Sequence, residues 1–302
     1  ELPANTKVLS LGKEYKPSRL RYIWRFYRQI WRERKNYEAV LVHMNQEYIL
    51  LGGLFWLILG KKIYMWRNHH AGSILTDLAA LFCTKVFCTS KYSYTAKYKK
   101  TVLMPVGANT DLFQRKAEIQ RQPLSILFFG RIAPVKRPDL LIEVLSGLKK
   151  SSQKFTASFY GDALPADASY HESLKKKVET EGLSDCVQFY LGSPNWGATQ
   201  IYNSHEIFVN LSTSGMYDKT IFEAMACECL VLASNENLHG LIDEQFIFKE
   251  GNREDLAQKL LHLLHLDSDQ KKYYGERLRE IVVAKHSLQE LGNRLKQALL
   301  GI

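Results

Sequence analysis

An apolar run at 125–129, Ser-Ile-Leu-Phe-Phe, leads through Gly130 into Arg131 and, five residues further on, Lys136, just before a helix that would open at Pro138. Glycine lets the chain turn tightly at the carboxyl end of a parallel strand, where doubly wound sheets bind their ligands. A guanidinium grips phosphate oxygens in pairs and an ammonium adds a mobile point charge, so the two cations suit a diphosphate. An ordinary solvated basic turn fits the same residues. The second pattern spans 209–226, where a strand ends near Ser212, a small-residue loop carries Gly215, and a helix opens near Asp218 with Lys219 and Thr220 in its first turn. Backbone N–H groups at such a helix start can hold a phosphate or sugar hydroxyls, and Asp218 has the alternative role of helix cap. Glu223 sits beside Phe222 and Ala224 on this helix. A carboxylate in apolar surroundings needs a partner, and two ribose hydroxyls would supply one.

Positioning these groups calls for a parallel sheet. Strand-like runs at 124–129, 155–160, 186–191, 206–210 and 229–233 alternate with helical patterns at 137–149, 169–181, 197–203, 218–227 and 253–265. The first half repeats the scheme, with strands expected at 7–11, 39–43, 62–66, 85–88 and 101–105 and helices at 18–35, 47–59, 72–83 and 91–98. Such alternation predicts an α/β fold of two Rossmann-like lobes, each a parallel sheet covered by helices. A polar stretch ending at Pro123 reads as the linker, which divides the chain into lobes 1–112 and 113–285. The last segment, from about 269 to 300, reads as one or two amphipathic helices, and 286–302 is expected to pack back on the first lobe.

At 302 residues and 46% apolar content the chain can bury two cores. Its net charge of +10 is lopsided: residues 1–113 hold 18 Lys and Arg against 7 Asp and Glu, and the rest is nearly neutral. The excess points to an anionic partner for the first lobe, whether a membrane surface, a nucleic acid or a phosphorylated acceptor. Five cysteines, mostly in apolar runs, read as reduced core residues of a cytosolic protein, and their spacing gives no zinc site. The apolar run 48–59 is shorter than the roughly 20 residues needed to span a bilayer and is expected to be a buried helix. The Arg-rich opening lacks the compact apolar stretch of a signal peptide. Residues 15–35 combine Arg and Lys with Tyr and Trp at helical spacing. That helix is expected to pack through Leu20, Ile23, Tyr27, Ile30 and Trp31 while its basic face holds the protein on the inner face of a membrane.

The order Gly-Arg-x4-Lys, then Ser-Thr-Ser-Gly-x7-Glu-Ala-Met-Ala, then the strand Leu-Val-Leu-Ala-Ser resembles the donor domain of family 4 glycosyltransferases, closely over about 101–265 and more loosely elsewhere. That resemblance implies the GT-B architecture, two lobes facing each other across a cleft, and retaining transfer from a nucleoside-diphosphate sugar to a glycan or lipid-linked acceptor. It implies that Gly130, Arg131 and Lys136 bind the donor diphosphate and that Glu223 binds the ribose. The first Glu of the family's Glu-x7-Glu signature falls on Gly215, so its contact to the sugar is missing; Asp218, Lys219 and Thr220 occupy the stretch of backbone contacts to sugar and phosphate. Gly161-Asp162 and Gly192-Ser193 match positions bordering the nucleotide base, although simple turn chemistry is the better reading of Asp162. In the first lobe Trp-Arg-Asn-His-His at 66–70 places His69, with His70 as the alternative, where the family sets a histidine toward the donor sugar. The resemblance implies no metal and no cofactor, since the departing phosphate itself helps deprotonate the acceptor, with Arg131 and Lys136 stabilising its charge.

Family members open with a strand, a Gly-rich loop and a long helix that this sequence lacks. A chain cut short, a reduced enzyme and an enzyme completed by a second chain all fit that opening. Beside the transferase stand two other readings: a nucleotide-sugar epimerase of related fold, and a non-catalytic protein binding sugar nucleotide or nucleic acid.

Overall fold

A computed structural model describes residues 3, 5–15, 18–212 and 215–301; the side chain of Lys13 is also outside the description. The chain divides into two compact units, one of Glu1–Cys88 and Tyr94–Val102, the other of Thr89–Ser93 and Leu103–Ile302.

In the first unit, strands β1 (Ala39–His43), β2 (Lys62–Trp66), β3 (Lys85–Cys88) and β4 (Thr101–Leu103) form a sheet in that order. β1 pairs in parallel with β2, and β2 with β3, as helical crossovers require. The crossovers are α2 (Glu47–Ile58) and α3 (Ile74–Phe82), with α1 (Arg19–Arg32) leading into β1. Ser18 caps α1 by accepting from Arg21 N, and Ser73 and Thr76 form a capping box on α3. Phe26, Ile49, Trp56, Ile63, Met65 and Val86 make the core.

Four expectations fail here. Residues 7–11 form no strand: Val8 is exposed, and the segment is tied to α1 by Lys7–Glu33 and by Gln29 Nε2 donating to Ser10 O. Apolar residues without a neighbouring strand have no ladder to join. Residues 91–98 yield only a single 3-10 turn at Tyr94–Lys97, where the Thr95 hydroxyl donates to Arg67 O and draws the chain away from a regular helix. The packing of α1 is also different, for Phe26 is buried with Ile23 and Ile30 partly so, whereas Leu20, Tyr27 and Trp31 are exposed. Likewise α2 buries only one side.

The second unit carries a five-stranded parallel sheet of order β7-β6-β5-β8-β9. Its strands are β5 (Ser125–Phe129), β6 (Thr156–Tyr160), β7 (Val187–Tyr190), β8 (Ile207–Asn210) and β9 (Leu230–Ala233). β8 and β9 are buried on both faces, as continuous apolar runs in parallel sheets are. Helices α4 (Pro138–Lys150), α5 (Ala168–Thr180), α6 (Asn195–Ser204), α7 (Lys219–Ala226) and α8 (Arg253–His265) connect and cover the strands. The chain runs from β5 to β6 and β7 on one side, then returns to lay β8 on the other. β5 and β8 therefore flank the point where strand order reverses, and the carboxyl ends of strands at such a point are where open α/β sheets bind ligands.

Two helices follow, α9 (Ser268–Lys285) and α10 (Leu288–Leu300), and both belong to the second unit. Gly107 N and Ala108 N donate to His286 O at 3.0 and 2.8 Å, and Leu288 N donates to Ala108 O at 2.7 Å. The division thus differs from the one the sequence suggests: the boundary lies at 102/103 instead of 112/113, and the C-terminal helix is fastened to residues 106–108 of the second unit. The polar stretch before Pro123 is not a linker, because Arg115 Nη1 and Lys116 N bond to Asn203 Oδ1 on α6.

Candidate functional site

The carboxyl ends of β5 and β8 bring together residues that lie about eighty positions apart. Lys136 leaves a 3-10 turn after β5, and its Nζ donates to Ser212 Oγ at 2.9 Å and pairs with the Asp218 carboxylate. The same oxygen, Asp218 Oδ2, accepts from Ser212 Oγ at 2.9 Å and from Asn210 Nδ2 at 3.1 Å. Asn210 and Ser212 stand two residues apart at the end of β8, and that spacing turns both side chains to one face. Burial alone would raise the Asp218 pKa, but the charge and hydrogen bond of Lys136, with the bonds from Asn210 and Ser212, hold it below the ordinary value. Asp218 stands at the N-cap position of α7 without capping it with its side chain. Its carboxylate is a positioning group for Lys136, and the first amides of α7 are left without a side-chain cap.

One turn into α7, Glu223 is buried at 6% exposure. Its only hydrogen bond among the described residues comes from Tyr202 OH on α6, at 3.4 Å. Burial raises its pKa against the pull of nearby Lys219 and the Tyr202 hydroxyl. An ionised carboxylate so poorly compensated carries a desolvation cost that a ligand with hydroxyl donors would offset. Tyr202 is itself fully buried, its phenol pushed well above the usual range by burial first and by the Glu223 charge next.

Arg131 is exposed and makes no hydrogen bond or ion pair among the described residues; Lys219 is exposed as well. With Lys136 they set three cations against the carboxylates of Asp218 and Glu223. The surplus is positive before any ligand binds, as an anion site requires.

Gly130 follows β5 with open space where a Cβ would be, its N–H donating to Tyr160 O at 3.0 Å. The glycine that sterics demand is Gly161, after β6: a Cβ there would lie 1.9 Å from Gly130 O. Gly161 therefore lets the backbone of the Gly130–Arg131 turn come close. Gly192 N donates to Asp162 Oδ1 at 3.1 Å, which makes Asp162 a turn-former, and a Cβ on Gly192 would meet Asp162 Oδ2 at 2.6 Å. Ser193 is partly exposed, and its hydroxyl donates only to Pro194 O.

Gly215 adopts φ +64° with no atom within 4 Å of a Cβ position, so conformation and not space calls for glycine. An L-residue there would be strained by about 1–2 kcal/mol, a physical reason for the missing glutamate. Buried amides fix this backbone: Asn237 Nδ2 donates to Gly215 O at 2.9 Å and Asn235 Nδ2 to Met216 O at 2.6 Å, while Ser90 Oγ donates to Asn237 Oδ1 at 2.6 Å. Thr213 and Ser214, the other small residues of that loop, lie outside the described residues. Thr220 Oγ1 is 3.5 Å from Asn210 Nδ2.

His69 and His70 belong to the first unit, exposed on the loop after β2 with rings stacked at 4.6 Å. His69 Nδ1 lies 3.0 Å from Ala71 N and 3.1 Å from Ala71 O. None of the five cysteines forms a disulfide, and among the described residues no three His, Cys, Asp or Glu side chains cluster as a metal site would need.

Asn210, Ser212, Tyr202, Asn235 and Asn237 are the site residues that sequence reasoning missed. The first two carried a signal, the polar pair at alternate positions ending an apolar strand; the others carried none.

Comparison with known proteins identifies the family. Residues 109–280 match the family described as glycosyl transferases group 1. A D-inositol 3-phosphate glycosyltransferase from Segniliparus rotundus is 24% identical over 149 residues, 47% of this chain and 33% of that protein. Digalactosyldiacylglycerol synthase 2, chloroplastic, from Arabidopsis thaliana is 24% identical over 224 residues, 70% of this chain and 43% of that one. The chain thus spans less than half the length of these curated relatives. Among solved structures, Anabaena Alr3699/HepE in complex with UDP and glucose superposes with a TM-score of 0.78 at 17% identity, over 92% of this chain and 82% of that one, and so shares the α/β GT-B fold. With more than half its length matched by the family, this chain belongs to the glycosyl transferases group 1.

Proposed function

We propose that the protein is a retaining glycosyltransferase of family 4 that moves a sugar from a nucleoside-diphosphate donor to a glycan or lipid-linked acceptor. The observation that carries this reading is Glu223, a buried carboxylate with one long hydrogen bond, set one helical turn behind the cations at the strand-order reversal. Two ribose hydroxyls donating to Glu223 would supply the hydrogen bonds it lacks, and the diphosphate would then reach the amide end of α7. Arg131, Lys136 and Lys219 would stabilise the charge that grows on the β-phosphate as the glycosidic bond breaks. The leaving phosphate takes the acceptor proton, so the reading assigns no protein nucleophile and calls on no metal ion. Gly130 and Gly192-Ser193 border the donor in this scheme, and His69 keeps the sugar contact that the family resemblance gives it. A uridine donor is favoured by the UDP-bound state of the HepE structure, and a lipid-linked acceptor by the name of the digalactosyldiacylglycerol synthase relative. Five cysteines without a disulfide fit a reducing compartment.

The test is turnover of UDP-sugars with glycan and glycolipid acceptors, with the product read by proton NMR. Release of UDP together with an anomeric configuration identical to the donor's supports the proposal. An inverted product would overturn the retaining mechanism. Epimerised donor formed without any acceptor would replace the transferase reading.

A further inference from the structure

The first unit exposes an apolar surface that its own fold does not explain. α2 is apolar on nearly every side, yet it buries only Ile49, Gly52, Gly53 and Trp56. Leu54, Leu57 and Ile58 face outward at 63%, 49% and 75% exposure. A helix apolar all round is normally enclosed, so the outward face lacks a partner. Its neighbour α3 repeats the pattern, burying Thr76, Ala79 and Ala80 and exposing Ile74, Leu78 and Leu81 at positions i, i+4 and i+7. The two helices meet closely, since a Cβ on Gly53 would lie 2.8 Å from the Phe82 ring.

On the other flank, α1 carries two parallel rows of the same period. Leu20, Trp24, Tyr27 and Trp31 form one, all exposed; Arg21, Arg25, Arg28 and Arg32 form the next. The aromatic row lies on the α2 side, because Tyr27 and Trp31 pack on Phe55 and Tyr27 OH donates to Leu51 O at 2.6 Å. The arginine row therefore lies beyond it, as a cationic rim. Arg28 sits over the Trp24 ring at 5.2 Å and Arg34 over Trp31 at 3.9 Å. Together these outward residues of α1, α2 and α3 are ten large apolar side chains, each more than a third exposed, the kind of apolar exposure that marks an interaction surface.

We infer that this face docks on an anionic lipid bilayer, lying in the headgroup boundary with the arginine row at the lipid phosphates. The arrangement has an apolar floor, tryptophans at its border and cations outside them, the order in which a bilayer surface presents acyl chains, interface and anionic heads. Within the arginine row Arg32 pairs with Glu33, Arg25 is half-buried and donates to Leu11 O, and Glu14 lines the same hollow; Arg21 and Arg28 form no ion pair among the described residues and carry the free charge of the rim, while Asp77 is engaged by Lys97. Residues 1–113 as a whole carry 18 basic against 7 acidic side chains, an excess that attracts anionic lipid. A second copy on the same face would set one arginine row against another, a repulsive pairing. This inference rests on the first unit alone and stands whether or not the donor reading holds.

The experiment is flotation of the whole chain with vesicles of phosphatidylcholine alone or mixed equally with phosphatidylglycerol. The wild type is expected to bind the anionic vesicles at least about tenfold more tightly, and less so as salt rises. Two variants, Leu54→Glu/Ile58→Glu and Arg21→Glu/Arg28→Glu, are each expected to lose about tenfold or more in vesicle affinity, with melting temperature and UDP affinity unchanged. Trp24→Ser, on the exposed row of α1, takes the place of the first variant if that one fails to fold. No binding by wild type, or equal binding by the variants, overturns the inference. So does a dimer in sedimentation velocity that Leu54→Glu/Ile58→Glu dissolves.

Discussion

Replacing Glu223 by glutamine should move stability and affinity in opposite directions. Glutamine keeps the shape of the side chain and an oxygen for the Tyr202 hydroxyl, 3.4 Å away in the wild type, while it removes the buried charge. In the free protein that charge is under-compensated, so the variant should be as stable as wild type or more so, by up to about 1–2 kcal/mol. With a nucleotide bound, the carboxylate would accept two ribose hydroxyls in charge-assisted bonds worth about 1.5–3 kcal/mol each. An amide offers one weaker acceptor, and a net loss of about 2–3 kcal/mol is roughly 30- to 150-fold in Kd. Urea unfolding measures the first quantity and calorimetric titration with UDP the second. The sign of the pH dependence follows from burial raising the Glu223 pKa. Its cost to the fold is present when it is ionised, so the stability gap in favour of glutamine should close as pH falls from 7 toward 4. UDP affinity of the wild type should fall over the same range, as the carboxylate takes up its proton, by more than the nucleotide's own titration produces in the variant. A variant destabilised by more than about 1 kcal/mol that binds UDP as wild type does would show Glu223 to be a structural residue and refute the reasoning.

Asp218→Asn leaves the hydrogen bonds around Oδ2 without their charge and should cost about 1–3 kcal/mol in urea unfolding. Because the Asp218 pKa is lowered in the fold, that contribution is present above its unfolded value near 3.9 and fades only as pH falls below it; a difference between wild type and variant already vanishing at pH 6 would contradict the role given to Lys136. Gly161→Ala forces a Cβ onto Gly130 O and should cost at least the roughly 1–3 kcal/mol of core overpacking, with weaker UDP binding because the Arg131 turn must move; unchanged stability would disprove the close approach. His286, ringed by Phe222 and Tyr217, is kept neutral by burial and then by the charges of Arg294 and Lys285, its pKa pushed down to about 4. The unfolded histidine takes its proton near 6.5, so stability should fall by at most about 3 kcal/mol as pH drops from 6.5 to 4, and His286→Phe should flatten that slope in thermal melts.

What the sequence made legible is what local chemistry writes. Continuous apolar runs marked β5, β8 and β9, Pro138 marked the start of α4, and Gly-Arg-x4-Lys marked the cations after β5. What it hid depends on tertiary contact. Nothing in the vicinity of Lys136 announces that its partners are Ser212 and Asp218, and nothing near Tyr202 announces Glu223. The resemblance matches Gly161 to the border of the nucleotide base, and nothing local shows its steric role, because the Gly130 carbonyl it accommodates arrives from a different strand. The unit boundary falls before residue 103 because Gly107 and Ala108 are bonded to His286, a contact across nearly 180 residues that no local pattern announces. On α1 the period was visible but its direction was not: two rows share the spacing, and only the contacts of Tyr27 and Trp31 with Phe55 show which one borders α2.

The central claim is that a nucleoside diphosphate binds where β5 and β8 part, and a crystal structure of the chain with UDP tests it most directly. The account predicts diphosphate oxygens about 3 Å from Arg131 and Lys136 and ribose hydroxyls on the Glu223 carboxylate. UDP bound elsewhere, with Lys136 still held by Asp218 and Glu223 untouched, would contradict it.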